Sequence, residues 1–486
     1  MTPSKTAFAS LGLLCCLGLL VTACPAVLDD ECAEGACVSG TSPGEGGADV
    51  VTTDGGGDAA VDPCIDTPTD RKCLDENTAI FVSAPNGNDA DATGTTGKPF
   101  KTIGAALAKI TTAKRRIYIC DGTYAEDLAL TSAHSGVSIF GGIDCTFKVV
   151  SPNKPIIGAT ANPVKINGAT ALAIADVAVE AKDATTGSSI AVFVNGGDVT
   201  LSRARLVAGK GFKGDDAVLV PFGYPDVMAL KGKDASGTTG GAPAPYTCPG
   251  GAITTGGKGG DASFQGLPGT PGAIDNKGAV ATCGAGGTGG DGATGKVGMP
   301  GPGATTLGQL SDTGWSPSSG TTGENGGTGQ GGGGGYGTAG AGGGGGAGGC
   351  GGAASPGGKG GGASIALSTN NSRVTVETSV LQAKNAGPGG GGMPGQLGQT
   401  LFGSRGVGSG SACNGGNGGP GGDGTPGGGG AGGVSVGALY RGTKPTLDAT
   451  TEKQVALGAK GTAGAAAPGF TNIGTEGKAV ATLESP

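Results

Sequence analysis

The sequence predicts an all-β fold: a solenoid of short parallel strands with an N-terminal capping helix and glycine-rich, largely irregular excursions. Three observations support this prediction. Short β-type runs bounded by turn residues recur, two long segments repeat without a gap, and 111 of the 486 residues are glycine, concentrated in two blocks. With only 4% aromatic residues, such a chain has few side chains to bury. It is therefore not one ordinary globular domain.

The charge distribution excludes one class of partner. The formal net charge is −7 at pH 7, and the basic residues are thinly scattered. Nucleic-acid binding usually needs a basic stripe or patch, often interleaved with aromatic residues, and the sequence contains no such stretch. We therefore expect no nucleic-acid partner.

The first residues indicate export. Lys5 precedes an apolar run of 15 residues, from Ala7 to Val21, whereas a membrane-spanning helix needs about 20. The run ends in "VTAC", which resembles the lipobox of bacterial lipoproteins, where the signal is cut before a cysteine that is then acylated. The resemblance implies a signal peptide over residues 1–23 and lipidation of Cys24. An ordinary signal peptide that ends by chance at a cysteine is the alternative.

The residues after Cys24 predict where the chain is anchored and how. Pro25 stands where that family carries the aspartate that marks inner-membrane retention, so the resemblance implies an outer-membrane protein facing the cell surface. Residues 24–78 are rich in Gly, Ser, Thr and Asp and lack periodicity, which predicts a flexible tether.

Cysteine usage predicts disulfides. Ten cysteines remain after those of the signal peptide and Cys24 are set aside, and an even number in an exported chain favours pairing. Chain order suggests the pairs Cys32–Cys37, Cys64–Cys73, Cys120–Cys145, Cys248–Cys283 and Cys350–Cys413. Zinc is the alternative, but the sequence has no CxxC pair and a single histidine, which also leaves a histidine-dependent catalytic triad without support.

The predicted core begins at residue 79 and runs to residue 214. "AIFVS" at Ala79 is a short β-type run followed by the turn cluster "PNGND". In "TIGAALAKI", Ile103, Leu107 and Ile110 have helical spacing, and Thr102 is a suitable N-cap. "RIYIC" and "GVSIFGGID" predict the next strands. The helix is expected to cover the open end of the strand stack.

The pattern "FVS..GND....GT...PFKTI..AL" resembles the entry segment of right-handed parallel β-helix proteins of the pectate-lyase-like superfamily. It resembles more closely a bacterial domain family of unknown function found at the start of such helices. The match extends from Ala79 to about Asp144 and includes Phe81, Gly87, Asp89, Gly94, Pro99, Phe100, Thr102, Ile103 and the segment "GTYAED". The resemblance implies a right-handed parallel β-helix, and the family has no established chemistry to carry over.

Internal repeats support stacking independently. "DVAV" at Asp176 and "DVTL" at Asp198 are 22 residues apart, which we interpret as a single coil. Segments that start at Ser189 and Ser364 align without a gap at an offset of 175, and a looser third copy begins at Ser435. One such unit cannot bury its apolar face alone, so the copies are expected to stack. A β-sandwich is the alternative.

Two glycine-rich excursions, residues 215–362 and 386–433, separate the core from a coil at 363–385 and from C-terminal coils at 434–486. Both leave after similar strands, so we expect them to leave equivalent corners and to lie side by side. A collagen helix is disfavoured, because the glycine triplets lose phase and proline is sparse. We favour solvated loops or polyproline-II-like segments packed as a bundle. The composition resembles the PGRS-like regions of large secreted bacterial proteins.

Calcium is an alternative interpretation of three glycine-rich motifs. "GGKGGD", "GGTGGD" and "GGPGGD" end at Asp261, Asp291 and Asp423, and each matches the first half of a calcium-binding nonapeptide. The copies stand alone, whereas such sites form between tandem turns. We therefore expect no cofactor, with calcium at these aspartates as the alternative.

One group of charged residues is a candidate polysaccharide site. The resemblance to pectate-lyase-like proteins implies a carboxylate cluster beside an Arg or Lys base on one face. Asp176 and Asp198 are expected on adjacent rungs, with Arg203 and Arg205 nearby. Arg373 takes the position equivalent to Asp198 in the next repeat, so the cluster does not extend. Turn residues at coil corners are the alternative.

These observations predict a lipid-anchored envelope or surface protein with a structural or adhesive role and no catalysis. Its expected partners are the membrane, through the N-terminal lipid, and a cell-surface polysaccharide or another cell. A polysaccharide lyase or glycoside hydrolase on the same fold is the first alternative. A calcium-stabilised surface module is the second.

Overall fold

The computed structural model describes residues 62–70, 72–272 and 274–486. The predicted signal peptide, the lipidation site Cys24, the pair Cys32–Cys37 and most of the predicted tether lie outside the described residues. Within the described ranges the regular structure is mostly strand, with two short α-helices, and this confirms the all-β prediction.

The strands are short and follow one another closely in the first part of the chain. This part contains β1 Ala79–Val82, α1 Ile103–Leu107, β2 Arg116–Cys120, β3 Thr123–Tyr124, β4 Leu128–Thr131, β5 Ser138–Ile143, β6 Ile156–Ile157, β7 Val164–Asn167, β8 Leu172–Ala175, β9 Ala178–Glu180, β10 Ser189–Asn195, β11 Asp198–Ser202 and β12 Arg205–Val207.

Longer connections separate the later strands. They are β13 Ala244–Thr247, β14 Ile253–Gly256, β15 Gly308–Ser311, β16 Gly314–Pro317, β17 Ser364–Asn370, β18 Arg373–Glu377, β19 Val380–Gln382, β20 Ser435–Arg441, β21 Thr446–Leu447, α2 Ala449–Lys453, β22 Val455–Ala456 and β23 Ala479–Glu484. Short 3₁₀ helices lie at Ser132–His134 and Val227–Leu230.

Most strands belong to three sheets in which every neighbouring pair is parallel. The first sheet has the order β1-β2-β5-β8-β11-β18-β21, the second β3-β6-β9-β12-β19-β22, and the third β4-β7-β10-β17-β20-β23. From β2 onward, successive strands of these sheets go to the first, second and third sheet in turn, so each pass adds one strand to each sheet. The remaining strands form the antiparallel hairpins β13–β14 and β15–β16.

The core is built from apolar side chains that stack from strand to strand. In the first sheet Ile117 pairs with Ile139, Ile139 with Ile174, Ile174 with Leu201, and Leu201 with Val376. All five are at least 96% buried. Parallel strands lie about 4.8 Å apart, so identical positions in successive passes touch directly. Because the period along a strand is two, the alternate positions face outward.

The 175-residue repeat is also the pairing register of the sheets. Ser189 pairs with Ser364, and Val199 with Val374, at this offset. The looser third copy is real as well, because Ser364 pairs with Ser435.

The interpretation of a 22-residue coil is wrong. Leu172 pairs with Val199, which is 27 residues later, and Ala178 pairs with Arg205 at the same spacing. Asp176 is consequently level with Arg203 rather than with Asp198.

Residues 62–70 and 72–78 were assigned to the tether from their composition, but they cover the outer face of the first sheet. Cys64 and Cys73 form a disulfide, and the hydroxyl group of Tyr118 donates to the carbonyl of Pro68 at 2.7 Å. The outer face carries a stack of aromatic rings at this end, including Phe81 and Tyr118, which would otherwise be in water. The predicted boundary of the tether at residue 78 is therefore too late.

An ion pair fastens this cover to the sheet. The guanidinium Nε of Arg116 donates to Asp62 Oδ2 at 2.9 Å, and Ser138 Oγ donates to the same oxygen at 2.9 Å. Burial raises the pKa of Asp62, but the hydrogen bonds from Arg116, Cys64 and Ser138 outweigh burial and hold the pKa below its ordinary value. The carboxylate therefore stays charged in its partly buried position.

The predicted helix is present and packs where it was expected. Thr102 accepts the N–H of Ala105 as N-cap, and Ile103 and Leu107 are buried against β1 and β2. The carboxylate of Glu126 also accepts the N–H groups of Ile103 and Gly104, at 2.8 and 2.9 Å. Two acceptors thus satisfy the free N–H groups at the start of a helix of only five residues.

The glycine-rich excursions leave from one corner of the fold. They follow β12, β19 and β22, which are neighbours in the second sheet, and they return to β17, β20 and β23, which are neighbours in the third. The first two correspond to the predicted excursions. The third, residues 457–478, is shorter, and the sequence analysis wrongly assigned it to continuous C-terminal coils.

These excursions are ordered as a bundle of extended segments. Every third N–H of segment 289–304 donates to segment 414–429, as Gly292 does to the carbonyl of Asn417 at 2.8 Å. Three residues is the period of the polyproline II helix. The prediction of largely irregular excursions therefore needs correction, because strands are few but the hydrogen bonds repeat regularly.

Glycine is required at the centre of the bundle, which is formed by segments 341–363 and 413–434. A Cβ atom on Gly346 would lie 2.1 Å from the carbonyl oxygen of Gly403, a distance that no side chain can occupy. Neighbouring segments approach this closely because their facing residues have no side chain. The backbone groups can then bond across the bundle.

Replacing a central glycine should destabilise the bundle. We expect Gly346→Ala to lower the free energy of unfolding by at least about 1–3 kcal/mol, the usual cost of overpacking, because backbone must move to admit the methyl group. Gly223→Ala is the matched control, since a Cβ there meets nothing within 4 Å. Urea denaturation and amide hydrogen exchange measure both variants. Equal stability of the two would contradict this account of the bundle.

Candidate functional site

Three of the four residues proposed for a polysaccharide site lie at or next to the corner between the first and second sheets. Asp176 follows β8 and Arg203 follows β11 at the same level, and both have left-handed backbone, with φ of 58° and 49°. Arg203 Nη2 donates to Asp176 Oδ2 at 2.8 Å and Arg203 Nε to Asp176 Oδ1 at 3.0 Å. Lys154 Nζ lies 3.6 Å from the same carboxylate.

The Asp176–Arg203 pair also holds the N-terminal cover. Arg203 Nη2 donates to the carbonyl of Ile65 at 2.6 Å, so one guanidinium joins a sheet corner to the cover. Lys154 Nζ in turn donates to the carbonyl of Arg203 at 2.5 Å. Bidentate arginine–carboxylate pairs are strong and directional, so this arrangement fixes the positions of three chain segments.

The other predicted residues are paired separately. Arg205, on the second sheet, forms an ion pair with Glu180 of the neighbouring strand. Asp198 lies at the opposite end of β11 from Arg203, and its carboxylate pairs with Arg373 at 2.7 Å. The expectation of one cluster on adjacent rungs is therefore wrong, because the 27-residue register separates Asp176 from Asp198 by the length of a strand.

A shallow groove of about 560 Å³ runs along the second sheet beside this corner, lined in part by Asp121, Lys154 and Arg205. Ser151 Oγ donates to Asp121 Oδ2 at 2.5 Å. Glycoside hydrolysis usually needs two carboxyl groups that flank the scissile bond. Here the carboxylates of Asp176 and Glu180 each form an ion pair with an arginine. The arrangement is therefore suited to stabilising the fold and to binding polar groups.

The three aspartates proposed as calcium ligands act as bridges between glycine-rich segments. Asp261 accepts the N–H of Gly240 at 2.8 Å, Asp291 that of Asn417 at 2.7 Å, and Asp423 that of Gly398 at 2.8 Å. The hydrogen bond from Gly240 lowers the pKa of Asp261, with help from Lys258. Within the described ranges, no group of three or more His, Cys, Asp or Glu side chains is placed to hold a metal ion.

Other aspartates have the same bridging role, which sequence reasoning missed. Asp216 accepts the N–H of Gly391, and Asp234 that of Val407, both at 2.8 Å. In a bundle whose backbone groups repeat every three residues, an aspartate supplies an acceptor that no carbonyl provides. These aspartates can be recognised in the sequence as isolated acidic residues within glycine-rich runs. The sequence does not show which segment donates to each of them.

The disulfides of the bundle differ from those predicted. Cys64–Cys73 and Cys120–Cys145 are joined as chain order suggested. The other four cysteines pair as Cys248–Cys350 and Cys283–Cys413, not as Cys248–Cys283 and Cys350–Cys413. Chain order failed because the bundle brings together residues that are 102 and 130 positions apart.

Two neighbouring segments on the outside of the bundle, residues 208–235 and 383–407, form what we call the outer segments. Gln396 joins them, because its side chain accepts the N–H of Phe222 at 2.7 Å and donates to the carbonyl of Phe222 at 2.9 Å. Seven large apolar side chains on the outer segments are 42% to 77% exposed: Val218, Val220, Met228, Met393, Leu397, Leu401 and Val407. Grouped exposed apolar side chains are typical of interaction surfaces.

No family model, no curated protein and no solved structure matches this chain. None of the helices in the described part of the chain has the length and apolar character needed to cross a membrane. Function is therefore inferred from the sequence and the geometry of this chain.

Peptide mapping under non-reducing conditions should recover Cys248 linked to Cys350 and Cys283 linked to Cys413. We expect the double variant Cys248→Ser/Cys350→Ser to lose up to about 4–5 kcal/mol of stability, because its disulfide closes a loop of about 100 residues. Cys64→Ser/Cys73→Ser, which opens a loop of nine residues, is the control and should lose less. Recovery of Cys350 linked to Cys413 would contradict the packing described here.

Proposed function

We propose that this chain is a lipid-anchored surface protein of the outer membrane with a structural or adhesive role. In this proposal the three parallel sheets are the faces of a right-handed parallel β-helix, as the resemblance of the entry segment implies. The glycine-rich bundle projects from one corner of it. The lipid on Cys24 and the residues before position 62 connect this body to the membrane.

The observation that carries the proposal is the outer surface of the bundle. Its segments are held by backbone hydrogen bonds, two disulfides and bridging aspartates, so the exposed side chains sit on a rigid support. A rigid support lowers the entropic cost of binding, because little further ordering is needed. Leu397 and Leu401 are 71% and 65% exposed, so most of each side chain is open to a partner.

The charged residues fit the same role. Asp176, Glu180 and Asp198 are each paired with an arginine, and the arginines link neighbouring strands. Partly buried pairs of this kind fix the arrangement of segments. They support a scaffold that positions a surface.

The anchor is tested on protein recovered from its native cell. We expect the intact mass to include acyl chains on Cys24 and the protein to fractionate with the outer membrane. Cys24→Ser should be recovered free of that membrane, because one cysteine carries all the lipid. An unmodified, freely released wild-type chain would refute the anchor.

The adhesive surface is tested with beads that carry the purified protein. We expect beads that carry the Leu397→Ser/Leu401→Ser variant to lose most of the binding to cells that beads with the wild-type protein show. The free energy of unfolding of this variant should stay within about 0.5 kcal/mol of wild type, as is usual for exposed positions. Val149→Ser/Val150→Ser is the matched control, because both valines are more than 60% exposed but lie outside the outer segments. Wild-type retention by both double variants would remove the outer segments from adhesion.

A further inference from the structure

The hairpin β15–β16 forms a cleft with the third sheet that none of the foregoing roles uses. Leu310 and Trp315 pack on the outer face of that sheet against Phe193 and Ile365. The hairpin is held close to its turn, where the N–H of Leu310, which pairs with Trp315, donates to Ser485 Oγ at 2.8 Å. Its tip stops above β7 and β10, leaving a cleft of about 170 Å³, which we call the hairpin cleft.

One wall of the hairpin cleft is apolar and enclosed. Trp315 is 8% exposed and Phe193 is 5% exposed, and both line the cleft together with Ile190. The indole Nε1 of Trp315 is buried and has no hydrogen-bond acceptor among the described residues. A buried donor without an acceptor is costly.

The opposite wall carries polar side chains that the protein itself leaves unused. Lys165, Asn162 and Thr186 line the hairpin cleft, and their side chains have no hydrogen-bond or ion-pair partner within the described part of the chain. Lys165 pairs in register with Phe193 on β10 and with Ala129 on β4, so no carboxylate faces it from the adjacent strands. Most of these unpaired side-chain groups can donate hydrogen bonds, and the strongest donor, the ammonium group of Lys165, carries a positive charge.

Two acidic residues that are close in sequence to lining residues of the hairpin cleft do not pair with this lysine. Asp183 pairs with Lys384 at 3.7 Å and accepts the N–H of Lys210 at 2.8 Å. Asp312, at the hairpin tip, forms no ion pair with any described residue. The ammonium group of Lys165 is therefore available to an anion from outside the chain.

We infer that the hairpin cleft binds a small organic carboxylate with an apolar body, about the size of an amino acid. The carboxylate is held by Lys165 with the donors of Asn162 and Thr186, and the apolar body lies against Ile190, Phe193 and Trp315. A few convergent polar groups beside an apolar wall are the usual composition of small-molecule sites. The inference goes beyond the proposed function, because it needs neither the lipid anchor nor the outer segments.

The chain offers a specific reporter for this site. Trp315 is its single tryptophan, so intrinsic tryptophan fluorescence reports on the hairpin cleft. The probe is N-acetylleucine, and N-acetylleucinamide is its neutral isostere. We expect a saturable change in tryptophan emission with N-acetylleucine and binding at least about tenfold weaker for the amide, because a charge-assisted hydrogen bond is lost.

Variants test the named lysine. Lys165→Gln should weaken N-acetylleucine binding about tenfold. Lys148→Gln removes another exposed lysine that lies outside the cleft and has no partner for its ammonium group among the described residues, and this variant should bind as wild type does. Near-ultraviolet circular dichroism checks that both variants are folded.

Three results would overturn the inference. The first is the absence of a saturable change with N-acetylleucine in both fluorescence and calorimetry. The second is calorimetric binding that leaves the emission of Trp315 unchanged, since this places the ligand elsewhere. The third is equal binding of the acid and the amide, or of the Lys165→Gln and Lys148→Gln variants.

Discussion

The register of the second sheet is the constraint on which the rest of the structure depends. Because β12, β19 and β22 are stacked neighbours, the chain segments that follow them start side by side. The same register then continues outside the sheets as hydrogen bonds at every third residue, from Ala208 to Gln382 at 2.8 Å, from Gly211 to Asn385 at 3.0 Å and onward. The glycine-rich bundle is therefore an extension of the sheets, with a period of three in place of two.

This continuity explains how a chain so rich in glycine can be ordered. Glycine loses more conformational freedom on folding than any other residue and contributes no side chain to a core. In the bundle the compensation comes from backbone groups, because the close approach of segments such as 341–363 and 413–434 lets buried N–H and C=O groups find partners. The two disulfides close loops of 102 and 130 residues and so restrict the unfolded chain most where side-chain burial contributes least.

Sequence reasoning found the features that repeat and missed those that depend on a distant partner. The 175-residue offset could be found because it is both a sequence repeat and the pairing register, as Ser189 and Ser364 show. The disulfides of the bundle could not, since chain order contains no information about which segments meet. The cover formed by residues 62–70 and 72–78 was missed because its composition is polar. The aromatic side chains that it shields from water, such as Tyr118, come later in the chain. The sequence analysis placed Asp176 and Asp198 together because "DVAV" resembles "DVTL". The strands pair at an offset of 27 residues, so these two aspartates are not at equivalent positions.

The same register assigns charged residues to stability and leaves other surfaces for binding. Asp176 and Arg203 occupy equivalent corners of successive passes, where the left-handed backbone directs both side chains into one ion pair. A pair that neutralises itself and holds the cover through Ile65 has little capacity left for a ligand. By contrast, Lys165 belongs to a strand whose neighbours in register, Ala129 and Phe193, offer it no charge. Stacked strands that bring opposite charges together, as at Asp176 and Arg203, stabilise the fold. Where they leave a lysine without a carboxylate, as at Lys165 beside the hairpin β15–β16, they form a site that can bind an anionic ligand.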